Sequence, residues 1–150
     1  QVTRKPEYSQ EELYTDNHGL GDTYIEVNLT EQHLYYYKKG KVVLDTPFVS
    51  GRMTKDRFTP PGVYFLTYKQ KDRILRGRPN ASGQPSYQSH VNYWMPFNGG
   101  VGIHDLASRG NNFGGDIYKT NGSHGCINTP LEAAKTIYET VSVGTPVIVY

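Results

Sequence analysis

At 150 residues the chain is long enough for one domain that buries roughly two-thirds of its unfolded surface, and no second core is needed. A net charge of +2 is too small to indicate a nucleic-acid partner, and no apolar run approaches the ~20 residues of a membrane span. The single cysteine, Cys126, excludes an internal disulfide and leaves the redox compartment open.

Residues 1–21 are polar and charged (Arg4, Lys5, Glu7, Glu11, Glu12) with little apolar periodicity, and read as a linker or the tail of an upstream segment. The stretch Gln1-Val2-Thr3-Arg4-Lys5 lacks the apolar core of a signal peptide, so the chain reads as a soluble fragment or processed form, with no stable membrane insertion. The domain proper is expected over residues 22–150. Its first strand is Thr23 to Leu29, where Tyr24 and Glu26 alternate with Ile25, Val27 and Leu29, a pattern that predicts one buried face. His33 to Lys38 and Lys41 to Leu44 flank Lys39-Gly40 as a hairpin. Tyr35, Tyr36 and Tyr37 suit cross-strand packing better than a sugar-stacking platform.

Phe48-Val49-Ser50-Gly51 is expected to close a third strand. Pro60-Pro61-Gly62 opens the next, Val63 to Tyr68, because prolines sit at strand starts and not in central ladders. From Gln70 to Ser86 the glycines and prolines predict a long connection of the kind that serves as a lid, with Arg73, Arg76 and Arg78 as a solvated cluster. His90 to Phe97 reads as a strand carrying the only tryptophan; Trp94 and Met95 either join the core or line a cleft.

Val101-Gly102-Ile103-His104 then delivers His104 at a strand end, and the Gly- and Asn-rich stretch from Leu106 to Gly122 reads as a loop that walls a groove. After it comes Ser123-His124-Gly125-Cys126-Ile127-Asn128. A cysteine attacks a carbonyl as thiolate and needs a base or cation beside it, which His104 can supply. Gly125, without a Cβ, permits a sharp turn that aims backbone N–H groups at one point, the requirement of an oxyanion hole. Thr129-Pro130-Leu131-Glu132 reads as a capping box opening a helix through Val141, the one confident helix, and Thr145 to Tyr150 returns as a last strand. With the helix starting near Thr129, Cys126 lies just outside its first turn and gains little from the dipole, so a neighbouring imidazolium is expected to supply most of the thiolate stabilisation. The whole predicts a mainly β fold, a mixed-sheet sandwich or open barrel with its site on loops.

These residues resemble a known family. A histidine, a spacer of eighteen residues (105–122) and then SHGCIN follow the pattern of the L,D-transpeptidase catalytic domain (YkuD type), and Thr59-Pro60-Pro61-Gly62 and Gly99 to Asp105 are similar to further segments of it. The resemblance runs from about Tyr24 to Tyr150. It implies Cys126 as nucleophile, His104 as base, and an Asp105 backbone carbonyl that orients the imidazole. It gives Ser123 the role of hydrogen-bonding His104, and favours Trp94, Met95 and Gly102 as substrate-binding residues. The side chain of His124 is left open between a pocket lining and a structural part, with the role of base the less favoured, and its backbone N–H is a candidate for the oxyanion site; Asn128 fixes the loop, contacts substrate or serves packing.

The reaction implied is cleavage of the bond between an L-centred residue and D-alanine in a peptidoglycan tetrapeptide stem. A thioester on Cys126 follows, then transfer to an amine of a neighbouring stem as a 3→3 cross-link, or to water in an L,D-carboxypeptidase. The implied partners are donor and acceptor stem peptides, with carbapenem-type β-lactams as covalent inhibitors, no cofactor, and an extracytoplasmic location at the cell wall or surface. Rival readings are weaker. A zinc site from His104, His124 and Cys126 lacks a CxxC or HExxH pattern. A non-catalytic wall-binding module has no use for SHGCIN, and a papain-like peptidase places its cysteine before its histidine.

Overall fold

The structure, a computed structural model, describes residues 22–55, 57–77, 80–85 and 88–150. The expectation of a linker over 1–21 lies outside the described residues, as does Arg78. Among the described residues nine strands form two mixed sheets. One has the order β3-β2-β1-β9-β4, built from Lys41–Pro47, His33–Lys38, Tyr24–Asn28, Pro146–Val149 and Gly62–Phe65. The other has the order β5-β6-β7-β8, from Gln70–Arg76, Gln88–Asn98, Val101–Asp105 and Ile127–Thr129. Each sheet contains one parallel pair, β1 with β9 and β7 with β8. A 3-10 turn (Ala107–Arg109) and the short α1 (Ile117–Asn121) lie between β7 and β8, and α2 (Leu131–Thr140) lies between β8 and β9.

A single apolar cluster joins the sheets. Ile25, Val27, Leu34, Tyr36, Val147 and Val149 from the first meet Met95, Phe97, Ile103 and Ile127 from the second, and α2 contributes Ala134 and Ile137. The expected hairpin is present: Lys39 and Gly40 both take positive φ (54° and 79°), as a two-residue primed turn requires. Tyr24 and Tyr37, directly opposite on β1 and β2, stack with ring centroids 4.8 Å apart, so the tyrosines do pack across strands.

Five features differ from expectation, each for a physical reason. β1 is buried on both faces rather than one, because Tyr24, Ile148 and Tyr150 form a small second cluster apart from the main core and Glu26 is satisfied there by the Tyr150 hydroxyl, which donates to its carboxylate at 2.7 Å. The third strand ends at Pro47; Phe48 to Arg52 leaves the sheet to run beside the SHGCIN segment, with Val49 and Asn128 exchanging both backbone hydrogen bonds. Half of the expected 70–86 loop is β5, antiparallel to β6, and Arg73 and Arg76 are strand residues on an exposed edge, where charged side chains are at home. The 106–122 loop holds two short helices. The capping box does not form: Thr129 is the last residue of β8, its hydroxyl donates to the Pro130 carbonyl, and Pro130 in an extended conformation is the N-cap.

Candidate active site

β7 and β8 place the site. In a strand, residues i and i+2 share a face. The parallel register pairs Ile103 with Ile127 and His104 with Asn128, so both isoleucines point into the core while His104, Asn128 and Cys126 fall on the opposite face. Parallel neighbours need a crossover of a dozen residues or more, and the eighteen-residue spacer between His104 and Ser123 is that crossover. It returns as one wall of a cavity of about 350 Å³, lined among others by His104, Arg109, Ser123, His124, Cys126 and Asn128.

His104 is held from both sides. Its Nδ1–H donates to the Asp105 carbonyl at 2.7 Å, which fixes Nε2 as the basic nitrogen. The Asn128 amide, oriented to satisfy both of its neighbours, donates Nδ2–H to His104 Nε2 (3.1 Å) and accepts from Arg109 Nε (2.9 Å) and Nη2 (3.2 Å). Burial pushes the His104 pKa below the ordinary imidazole value, with nearby Arg109 acting in the same direction, against an opposing pull from the Asp105 hydrogen bond and carboxylate. The Asp105 carboxylate faces the other way and accepts from the backbone N–H groups of Asn92 and Tyr93 and from the Asn92 side chain, fastening β6 to the end of β7.

The Cys126 thiol is half-buried and donates to the Gly100 carbonyl at 3.4 Å. Burial pushes its pKa up to about 11, against which a hydrogen bond from the Gly102 backbone acts. Burial therefore favours a neutral thiol beside a neutral imidazole over the imidazolium–thiolate pair expected from the sequence. No helix dipole reaches Cys126 either, because β8 and Pro130 separate it from α2.

Ser123 does not bond His104. Its Oγ donates to the Cys126 carbonyl at 2.6 Å and accepts from Gly125 N–H at 3.1 Å, closing the turn that carries the thiol. The Gly125 amide is thus engaged within its own loop, at a φ of 130° that L side chains rarely adopt. His124 is exposed at the rim of the cavity. Trp94 and Met95 do not line it: Met95 belongs to the core, and Trp94 lies behind His104 at a centroid distance of 5.8 Å with its indole N–H donating to Tyr68 Oη. Gly102 meets the site through its backbone, and a Cβ there would come within 2.7 Å of Pro96 Cα.

Three residues went unassigned in the sequence. Arg109 is a lone arginine in a Gly/Asn-rich stretch, with no spacing signal to mark it. Gly100 stands in the quoted Gly99–Asp105 segment with no side chain to suggest a contact. Thr59 sits in the quoted Thr-Pro-Pro-Gly segment and is fully buried: its Oγ1 accepts from Gly51 N–H (2.9 Å) and donates to the Gly125 carbonyl (2.7 Å), pinning the cysteine loop to the 48–52 segment. Among the described residues no group of three or more His, Cys, Asp or Glu side chains is placed to hold a metal ion.

Comparison with known proteins extends these observations. The description "L,D-transpeptidase catalytic domain" (YkuD) matches residues 22–149. Among solved structures, a variant of the Enterococcus faecium L,D-transpeptidase is 48% identical with a TM-score of 0.79, over 91% of this chain and 52% of that one. The catalytic domain of the E. faecium enzyme acylated by ertapenem is 51% identical with a TM-score of 0.73, over 87% of this chain and 98% of that domain. An L,D-transpeptidase from Mycobacterium smegmatis is 26% identical with a TM-score of 0.73, over 86% and 58% of the respective chains. The chain spans about half the length of the first of these proteins. No curated protein sequence gives a significant match. Strand order, the paired His104 and Asn128, and a match over nearly the whole described chain agree on one conclusion: the chain belongs to the L,D-transpeptidase catalytic-domain family.

Proposed function

We propose that this domain is a cysteine-dependent acyltransferase that acts on peptidoglycan stems on the wall-facing side of the membrane, with Cys126 as nucleophile and His104 as base. The supporting observation is the convergence of the Cys126 thiol and the His104 imidazole on one cavity from adjacent parallel strands. Acylation of an E. faecium catalytic domain by ertapenem supports the same chemistry by similarity.

In the first half-reaction the Asn128 amide releases His104 Nε2, and the Cys126 side chain rotates away from Gly100 and passes its proton to that nitrogen as Sγ attacks the carbonyl carbon of the third, L-centred residue. The C=O π electrons move to oxygen, where the Cys126 backbone N–H meets the developing charge; Gly125 N–H joins it on release from Ser123 Oγ. Collapse breaks the C–N bond, His104 returns the proton to the departing D-alanine amine, and a thioester remains. In the second half, an acceptor amine on another stem attacks the thioester, His104 takes the amine proton, and the sulfur leaves and regains it. The product is a 3→3 cross-link; water in place of the amine gives L,D-carboxypeptidase activity. An oriented amine in a site that excludes bulk water gains roughly 7–11 kcal/mol from proximity, enough to outrun hydrolysis. Ser123, Gly125, Asp105 and Asn128 act as positioning residues, and Gly102 modulates the thiol through its backbone.

The test is incubation with a disaccharide-tetrapeptide followed by mass spectrometry. D-alanine loss, a dimer, and an acyl increment on Cys126 that vanishes in Cys126→Ala are expected, and ertapenem should add one covalent equivalent at the same residue. Folded protein that releases no D-alanine and takes up no ertapenem would overturn the reading.

A further inference from the structure

Among the described residues that line the cavity, Arg109 is the one permanent cation, and no carboxylate accompanies it. A guanidinium carries five N–H donors. Nε and one N–H of Nη2 are spent on Asn128, and one N–H of Nη1 on the Asn121 carbonyl at 2.9 Å. One N–H therefore remains on each terminal nitrogen, a fork matched to the two oxygens of a carboxylate. Asn128 and Asn121 thus hold the guanidinium in place before anything binds. Half-buried, the guanidinium has its pKa lowered by desolvation, and an anion in the cavity would relieve that cost.

The geometry points to Arg109 as the residue that binds the free α-carboxylate of the departing residue, the C-terminus of the donor stem. This rests on the acyl-transfer reading above, because the departing residue is the one that carries a carboxylate next to the bond being broken. It also makes the site read stem length. One more residue at the C-terminus would carry the charge about 3.5 Å farther along the chain, past a fork whose position is fixed by Asn121 and Asn128. A donor ending in a neutral carboxamide would offer the fork one acceptor oxygen in place of two and no charge to pair with the guanidinium.

A purely structural part for Arg109, holding Asn128 and through it His104, predicts no sensitivity to the donor's terminal charge, and this separates the alternatives. In Cys126→Ala protein, which cannot turn over, binding of the tetrapeptide stem and of its C-terminal carboxamide is measured by NMR titration. The acid should bind about 10- to 100-fold more tightly than the amide, the worth of a charge-assisted pair, and that ratio should shrink as salt is raised. Adding Arg109→Gln should bring the acid down to the amide while leaving the amide where it was; Arg109→Lys, which keeps the charge and loses the fork, should retain part of the difference. Equal binding of acid and amide, or a loss in Arg109→Gln that falls on both ligands alike, overturns the proposal. If Arg109→Gln unfolds, a ratio in Arg109→Lys undiminished from the parent, or one that ignores salt, overturns it equally. Because no step of this measurement needs turnover, failure of the acyl-transfer reading is seen separately, as absence of D-alanine release from the unmutated protein.

Discussion

At the scale of single residues, burial favours the neutral forms: it pushes the Cys126 thiol up to about 11 and the His104 imidazole below its ordinary value, which disfavours a preformed thiolate near pH 7. Alkylation of Cys126 by iodoacetamide should therefore rise about tenfold per pH unit between 7 and 10; a flat rate across that range would reveal a preformed thiolate. Asn128 gives a second prediction. Its amide joins His104 Nε2 to Arg109, and Asn128→Asp puts a carboxylate against the imidazole, which favours the charged ring. The acid limb of the acylation profile, set by loss of the neutral base, should then move to higher pH by about one unit or more in rates of ertapenem acylation. These pairings show what sequence could carry. Cys126 and His104 are singled out by chemistry and spacing, and the part of the Asp105 carbonyl is implied by the family resemblance. The partner of Ser123 does not follow, because it depends on which way a hydroxyl turns inside a loop closed by Gly125.

At the scale of elements, spacing has a mechanical meaning. The interval between His104 and SHGCIN is a crossover between two parallel strands, and the alternation of Gly102, Ile103, His104 against Cys126, Ile127, Asn128 sorts core from site. Strands with clear alternation, such as β1, β2 and β6, were legible in the sequence. β5 was not, because an exposed edge strand needs no apolar face and its Gln70-Lys71-Asp72-Arg73 run reads as loop. The capping box misleads for a different reason: β8 claims Thr129 for pairing with Asp105, so Pro130 begins the helix instead. Thr59 is the element-scale joint, tying the Gly51 amide to the Gly125 carbonyl. Thr59→Val keeps the shape and strands both groups, each at about 1–3 kcal/mol, so urea unfolding should show a loss of that order and ertapenem acylation should slow. Thr59→Ser should restore both, since the hydroxyl is what matters; equal damage from Ser and Val would place the role in the methyl group.

At the scale of the molecule, the two sheets share one core and should behave as one cooperative body, and the site adjoins that core. Ile127 follows Cys126 directly and, with Ile103, is fully buried in the cluster that also holds Val27, Val147 and Val149 of the opposite sheet. The β1–β9 pairing joins Ile25 to Val147, so the first sheet closes only when nearly the whole domain has been gathered, which makes folding slow and leaves little room for a stable half. Trp94 reports on the second sheet, while far-UV circular dichroism averages over both. In urea the two signals should trace one transition. Ile127→Ala should lower its free energy by about 2–5 kcal/mol, a large share of the ~5–15 kcal/mol a domain has, and should move both signals together. If the Trp94 signal alone moved to lower urea, the sheet bearing His104 and Cys126 would be a separate unit, able to open its site without disturbing the first sheet.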